Sequence, residues 1–186
     1  MKTLAFKSAT HFRRWLAEHH GKVDGIWLRM FKKDSGKATV TYAEALDQAL
    51  CFGWIDGQKK AYDKLSFIQR FTPRRAKSSW SKLNTQHVER LTKAGQMMPA
   101  GLAAVQAAKA DGRWRSAYDS HRTATPPKDF LNALNRNKKA KAFFESLNKA
   151  NVYAIVYRLQ TAKRPETRER RMQTILAMMK RGERFH

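Results

Sequence analysis

Residues 39–84 read TVTYAEALDQALCFGWIDGQKKAYDKLSFIQRFTPRRAKSSWSKLN, and this stretch sets the fold class. Thr41-Tyr42-Ala43-Glu44 fits a capping box: the Thr41 hydroxyl accepts from the Glu44 amide and the Glu44 carboxylate accepts from the Thr41 amide. A helix is predicted to begin there. Tyr42, Ala45, Leu46, Ala49, Leu50 and Gly53 then recur at three- and four-residue spacing, the pattern of one buried helical face. Its small residues would let the helix sit close to a sheet. The Asp56-Gly57 pair that follows is a turn signal. Residues 65–71, LSFIQRF, are β-branched and aromatic enough for a strand that ends at Pro73. Residues 54–71 are therefore expected to form a hairpin, with Asp56-Gly57 or Tyr62-Asp63 near its bends.

Toward the N-terminus, Leu4 to Phe6 reads as a short edge strand or an extended arm. Ser8 or Thr10 opens a helix through His20, with Phe12, Trp15 and Leu16 on one face and Gly21 as its stop. Gly25 to Lys33 reads as a strand whose centre, IWLRMF at 26–31, is mostly apolar, so it is expected to lie centrally and to be covered on both faces. Toward the C-terminus the spacing turns helical. Thr85 is expected to cap a segment carrying Val88 and Leu91 that stops at Gly95, and Pro99 to start another that stops at Gly112. Residues 113–125 have turn-like polarity, with Trp114 and Tyr118 as clamps. Pro126-Pro127 is the best internal boundary, since paired prolines disfavour helix. Beyond it, three helical clusters surround Phe130, Phe143 and Tyr153, and a last helix has Pro165 in its first turn, Met172, Ile175 and Met179 on one face, and Gly182 after its end. The fold class is α+β: a small antiparallel or mixed sheet with helices in the N-terminal half, followed by a C-terminal helical bundle packed on it. The expected division is 1–125 and 126–186, the second region packed as part of the same unit.

The 186 residues are 42% hydrophobic, enough for a real core. A formal charge of +23, from 38 Lys+Arg against 15 Asp+Glu, far exceeds what solubility needs and favours anionic partners. The same field argues against direct capture of a cationic peptide. Cys51 is the single cysteine, which excludes an intramolecular disulfide and suits a reduced compartment. The first residues lack the apolar run of a signal peptide, and no segment approaches a membrane span. A cytoplasmic location is expected.

Two basic clusters are candidate sites. Phe71-Thr72-Pro73-Arg74-Arg75 puts two guanidinium groups beyond a rigid proline, and Ser78-Ser79-Trp80-Ser81 adds hydroxyls around an indole. Arginine forks bind carboxylates and phosphates, hydroxyls donate to the remaining oxygens, and an indole offers a stacking face. Trp54, Asp56, Arg70, Thr72, Arg74, Arg75, Trp80, Ser81 and Asn84 are the candidate ligand-binding residues here. The same residues also fit a plain arrangement, in which Trp80 anchors a helix, Ser78 or Ser79 caps it, and the arginines face water. The second cluster, Lys163, Arg164, Thr167, Arg168 and Arg171, lies at a helix N-terminus, where free amides and the helix dipole favour an anion. Pairing with Glu166 and Glu169 would make it an ordinary solvated helix. Convergence of the two clusters on one anion is the working expectation. Asp56 and Asp63 are more simply turn residues than an acid/base pair. Six histidines and one cysteine show no zinc-ligand spacing, and the chain has no phosphate-cradling glycine loop and no nucleophile elbow. No metal and no cofactor are predicted.

ALCFGWIDG (49–57), RFTPRRAKSSWSKLN (70–84), GQMMPAG (95–101) and AKRPETRERR (162–171) together resemble the YdeI/OmpD-associated family, whose name is linked to bacteriocin protection. The resemblance runs from about Phe12 to about Met179. It implies a cytoplasmic bacterial protein tied to envelope stress or antimicrobial-peptide resistance, and it carries no catalytic residue set. Three function classes stay open. The first is a non-enzymatic stress factor that binds an anionic small molecule or polyanion through the arginine motifs. The second is a nucleic-acid-binding protein, which needs a basic stripe with exposed aromatics. The third is a small-molecule enzyme with an anionic substrate, which needs a closed pocket around Asp56, Arg74 or Ser81. The oligomeric state is not encoded in any of these features.

Overall fold

The computed structural model describes residues 1–121 and 123–186. Arg122, inside the turn-like region 113–125, lies outside the described residues. The chain divides into two compact units, Met1–Trp80 with Asn84–Ser116, and Ser81–Leu83 with Ala117–His186.

The first unit runs β1 (Thr3–Ala5), α1 (Ala9–His19), β2 (Ile26–Phe31), α2 (Tyr42–Cys51), β3 (Trp54–Asp63) and β4 (Ser66–Pro73), then α3 (Lys82–Lys93) and α4 (Pro99–Ala110). Lys82 and Leu83 count with the second unit. The sheet order is β1-β2-β4-β3. β1 is parallel to β2 and the other pairs are antiparallel, so the sheet is mixed and the class is α+β.

The capping box forms as read: the Glu44 amide donates to the Thr41 hydroxyl at 3.3 Å and the Thr41 amide to the Glu44 carboxylate at 2.8 Å. Those Thr41 bonds hold the Glu44 carboxyl below its usual range. The helix buries Ala45, Leu46, Ala49, Leu50 and Cys51. Tyr42 is a correction, because it stays 42% exposed and its hydroxyl donates to Asp56 at 2.9 Å instead of entering the core. Gly53 is another. It lies beyond the helix end at φ +72°, a conformation in which a side chain is strained. Close approach is real, but it belongs to α4: a Cβ on Gly101 would sit 2.7 Å from the Cys51 carbonyl carbon. The Cys51 oxygen meanwhile accepts from the Met98 amide at 3.0 Å.

The hairpin bends at Asp63, whose carboxylate accepts from the Leu65 amide at 2.9 Å and the Ser66 hydroxyl at 2.7 Å. Asp56-Gly57 is not a bend. It lies inside β3, where the pairing with β4 slips between Asp56 and Lys59, and the Asp56 carboxylate is taken by Tyr42 rather than by a local turn. β2 occupies an inner position as expected, but only one of its faces is fully covered. Ile26, Leu28 and Met30 are buried, whereas Trp27, Arg29 and Phe31 are half-buried, because Arg29 interrupts the apolar run and keeps its face near water. On the covered face, Phe12 packs against Phe71 with ring centroids 5.9 Å apart, and Trp54 meets Trp15 edge-on at 5.9 Å.

In the second unit, the Lys82 amide donates to the Tyr118 carbonyl at 2.8 Å. This partner, distant in sequence, starts α3 at Lys82 rather than at the expected cap Thr85, which is buried within the helix. The unit continues as α5 (Lys128–Asn135), α6 (Lys138–Glu145), α7 (Lys149–Gln160) and α8 (Pro165–Arg181). Asn137 and Asn148 cap α6 and α7 by accepting from the Ala140 and Asn151 amides at 2.9 and 3.0 Å. Phe130, Leu134, Ala140, Ile155, Leu159, Met172, Ile175 and Met179 form the core of this bundle. Gly182 ends α8 at φ +74°.

Candidate functional site

The end of β4 and the loop after it form one wall of a cleft of about 630 Å³ in the first unit. Ile55, Asp56, Gly57, Arg70, Thr72, Arg74, Arg75 and Ser78 line it, with Met1 and Asp24 at its edge. Five residues of the first cluster thus come together: Asp56, Arg70, Thr72, Arg74 and Arg75.

Each arginine is held differently. Arg70 points across β3, where its guanidinium covers Gly57; a Cβ there would stand 3.0 Å from Nε. Its Nε is buried with no hydrogen-bond partner among the described residues. Arg74 lies flat on Trp80, its guanidinium carbon 3.5 Å from the ring centroid, and donates to the Ser79 carbonyl at 3.2 Å. Arg75 is exposed. The loop is pinned by Arg113, which donates to the Ser78 carbonyl at 2.9 Å while its Nε holds Asp111. Arg113 was not legible as part of this region, since it is far away in sequence and carries no local motif.

Asp56 also lines the cleft from β3, but it is paired across the sheet with the buried Phe71 and its carboxylate accepts from Tyr42, whose phenol is pushed well up by burial and by that carboxylate. Trp54 and Trp80 are 1% and 2% exposed, so neither offers an open stacking face. Trp54 donates to the His20 carbonyl at 3.0 Å and belongs to the core. Asn84 is buried in the first unit, and Ser81 pairs with Tyr118 in the second.

The second cluster lies entirely in the second unit. Arg168 grips Asp129 with both terminal nitrogens, and this holds the Asp129 carboxyl below its usual range. Arg171 donates to the Arg158 carbonyl at 2.7 Å and to the Thr161 hydroxyl at 3.4 Å. Both side chains are thereby engaged in tying α8 to its neighbours. Lys163 and Arg164 are exposed at the start of α8, and Thr167 is half-buried. No group of three or more His, Cys, Asp or Glu among the described residues is arranged to hold a metal ion, and no helix among them is long and apolar enough to cross a membrane.

Residues 4–104 match the family described as a domain of unknown function (DUF8412), and residues 123–182 match the family described as Bacteriocin-protection, YdeI or OmpD-Associated. The chain belongs to the first family and carries a YdeI/OmpD-associated domain. The resemblance read from the sequence is borne out, with a narrower extent. Of its four motifs only AKRPETRERR falls within the YdeI/OmpD-associated match, and the other three lie in residues 4–104. The bundle core of α5 to α8 and the Arg168 to Asp129 pair belong to the YdeI/OmpD-associated domain; the arginine cleft belongs to the other. Neither a curated protein nor a solved structure matches the chain.

Proposed function

We propose that this protein is a non-enzymatic, cytoplasmic stress or antimicrobial-peptide resistance factor that binds a small anion, a phosphate or carboxylate group, in the cleft beside β4. The observation that carries the reading is Arg70. Its Nε is buried without an acceptor, in a cleft shared with Arg74, Arg75, Thr72 and Ser78. Buried donors are normally satisfied, and Nε packs against Gly57, so a bound oxygen reaches it only as the Arg70 side chain shifts toward the cleft; that contact would complete the site. The exposed Arg75 supplies charge at the entrance, and the flat seat of Arg74 on Trp80 fixes the direction of a second fork. Asp24 and Asp56 also line the cleft, and their charge would disfavour a highly charged anion and favour one that also carries a hydroxyl or amine. With a formal charge of +23, protection against a cationic peptide would be indirect, through the anionic ligand rather than the peptide.

Titration calorimetry with inorganic phosphate and with citrate, combined with native mass spectrometry of the purified protein, tests this. Saturable binding is expected, weakened at least tenfold in R75E and in R70K. If both variants bind phosphate and citrate as the parent does, the cleft is not the site.

A further inference from the structure

We propose that the half-open face of the sheet is a platform for single-stranded nucleic acid. Trp27, Arg29 and Phe31 of β2 stand directly opposite Arg70, Ile68 and Ser66 of β4, and Lys60 of β3 stands opposite Ile68, so these side chains share one face. Trp27, Phe31 and Ile68 are half-buried, Lys60 is exposed, and Tyr62 is 51% exposed. The opposite face carries the core.

Each aromatic ring on this face has a cation over it. The Lys60 ammonium is 5.1 Å from the Trp27 centroid and the Lys37 ammonium 5.0 Å from Phe31. The Arg29 guanidinium carbon is 4.6 Å from both Phe31 and Tyr62. Arg29 is fixed there by Asp63 at 2.6 Å and Ser66 at 2.9 Å, whereas the two lysines hang on flexible stems. A lysine can swing from its ring to a phosphate while a base takes the vacated face. Ring and cation in alternation therefore match the repeat of a single strand, in which every nucleotide brings one flat base and one negative charge. Trp27 and Phe31 are about 13 Å apart along the strand, from a rise of about 3.3 Å per residue, which leaves room for neighbouring bases on separate rings. A duplex hides its base faces, and an anionic lipid surface supplies phosphate without flat partners. The net charge of +23 adds long-range attraction for any nucleic acid, but the rings select the unpaired form. The platform does not rest on the cleft reading, since Trp27, Lys60 and Tyr62 do not line the cleft.

Fluorescence anisotropy with labelled DNA and RNA single strands of about 12 nucleotides, with the duplex of the same sequence, and with phosphatidylglycerol vesicles, at about 0.15 M salt, tests the proposal. One or both single strands should bind at least tenfold more tightly than the duplex, and the preferred one names the natural source. Y62A, W27A and K60E should each weaken strand binding, the aromatic variants by about fivefold to a hundredfold, the range for one lost base stack. Tyr62 and Lys60 are exposed, so those two variants decide the matter if W27A does not fold. R75E should lose phosphate binding in the cleft yet keep strand binding that depends on Tyr62, so the two readings fail separately. Unchanged strand binding in Y62A and K60E, a duplex bound as tightly as the single strand, or capture of vesicles with no strand binding would each overturn the platform.

Discussion

The Arg74 guanidinium rests 3.5 Å from the centroid of the Trp80 ring, so an indole that is only 2% exposed carries a cation over its face, and that cation lines the cleft. The contact joins the end of β4 to the loop that leads into α3. It holds charge and planarity in one place, which lysine cannot reproduce.

Loss of this stack should therefore cost stability as well as charge. R74A is expected to lower unfolding stability by about 1–2 kcal/mol, the range for a partly desolvated cation over an indole. R75A, at an exposed position, should stay within about 0.5 kcal/mol of the parent. Urea titration followed by tryptophan fluorescence separates the two, and equal effects would mean that the stack contributes nothing.

Gly101 should be intolerant of even one methyl group. An added Cβ would meet the carbonyl of Cys51, which is backbone and cannot swing away. G101A is expected to destabilise by about 1–3 kcal/mol through overpacking. G21A, with nothing within 4 Å of the added carbon, should be close to neutral. A melting temperature for G101A no lower than that of G21A would contradict the close approach of α4 to the end of α2.

Glu44 gives a pH dependence of known sign. Its carboxyl is held below the ordinary value of 4.5 by the Thr41 bonds, so the folded state binds a proton less readily than the unfolded chain. The contribution of Glu44 is complete above that ordinary value and is lost as the pH falls through the lowered one. In E44Q the decline in melting temperature below pH 4.5 should be shallower than in the parent. Identical slopes in that window would remove Glu44 from the acid transition.

Arg168 should set the titration of Asp129. In R168A the Asp129 carboxyl is expected to move back up toward the ordinary carboxylate range, which a carbon-detected NMR titration reads directly. Because both side chains are partly exposed, stability should fall by no more than about 1 kcal/mol. An Asp129 titration unchanged in R168A would show that the pair does not persist in solution.

The start of α2, the inner position of β2, the bundle and the stop at Gly182 were legible in the order of residues because caps, turns and apolar spacing act over three or four neighbours. Arg70, Thr72, Arg74 and Arg75 were legible as a group for the same reason, being contiguous at the end of one strand. Tertiary structure decided what these residues face. Strand pairing set Arg70 beside Gly57 and gave Asp56 to Tyr42, and the burial of Trp80 removed the stacking face that the residues around it suggested. Arg113 reached the cleft loop from α4's far end, and Arg29 kept one sheet face half-open under a cover of cations. Side-chain direction and long-range partners depend on register and packing, which no local stretch encodes; the sequence alone determined which elements form, and only their assembly determined which surfaces they leave for a ligand.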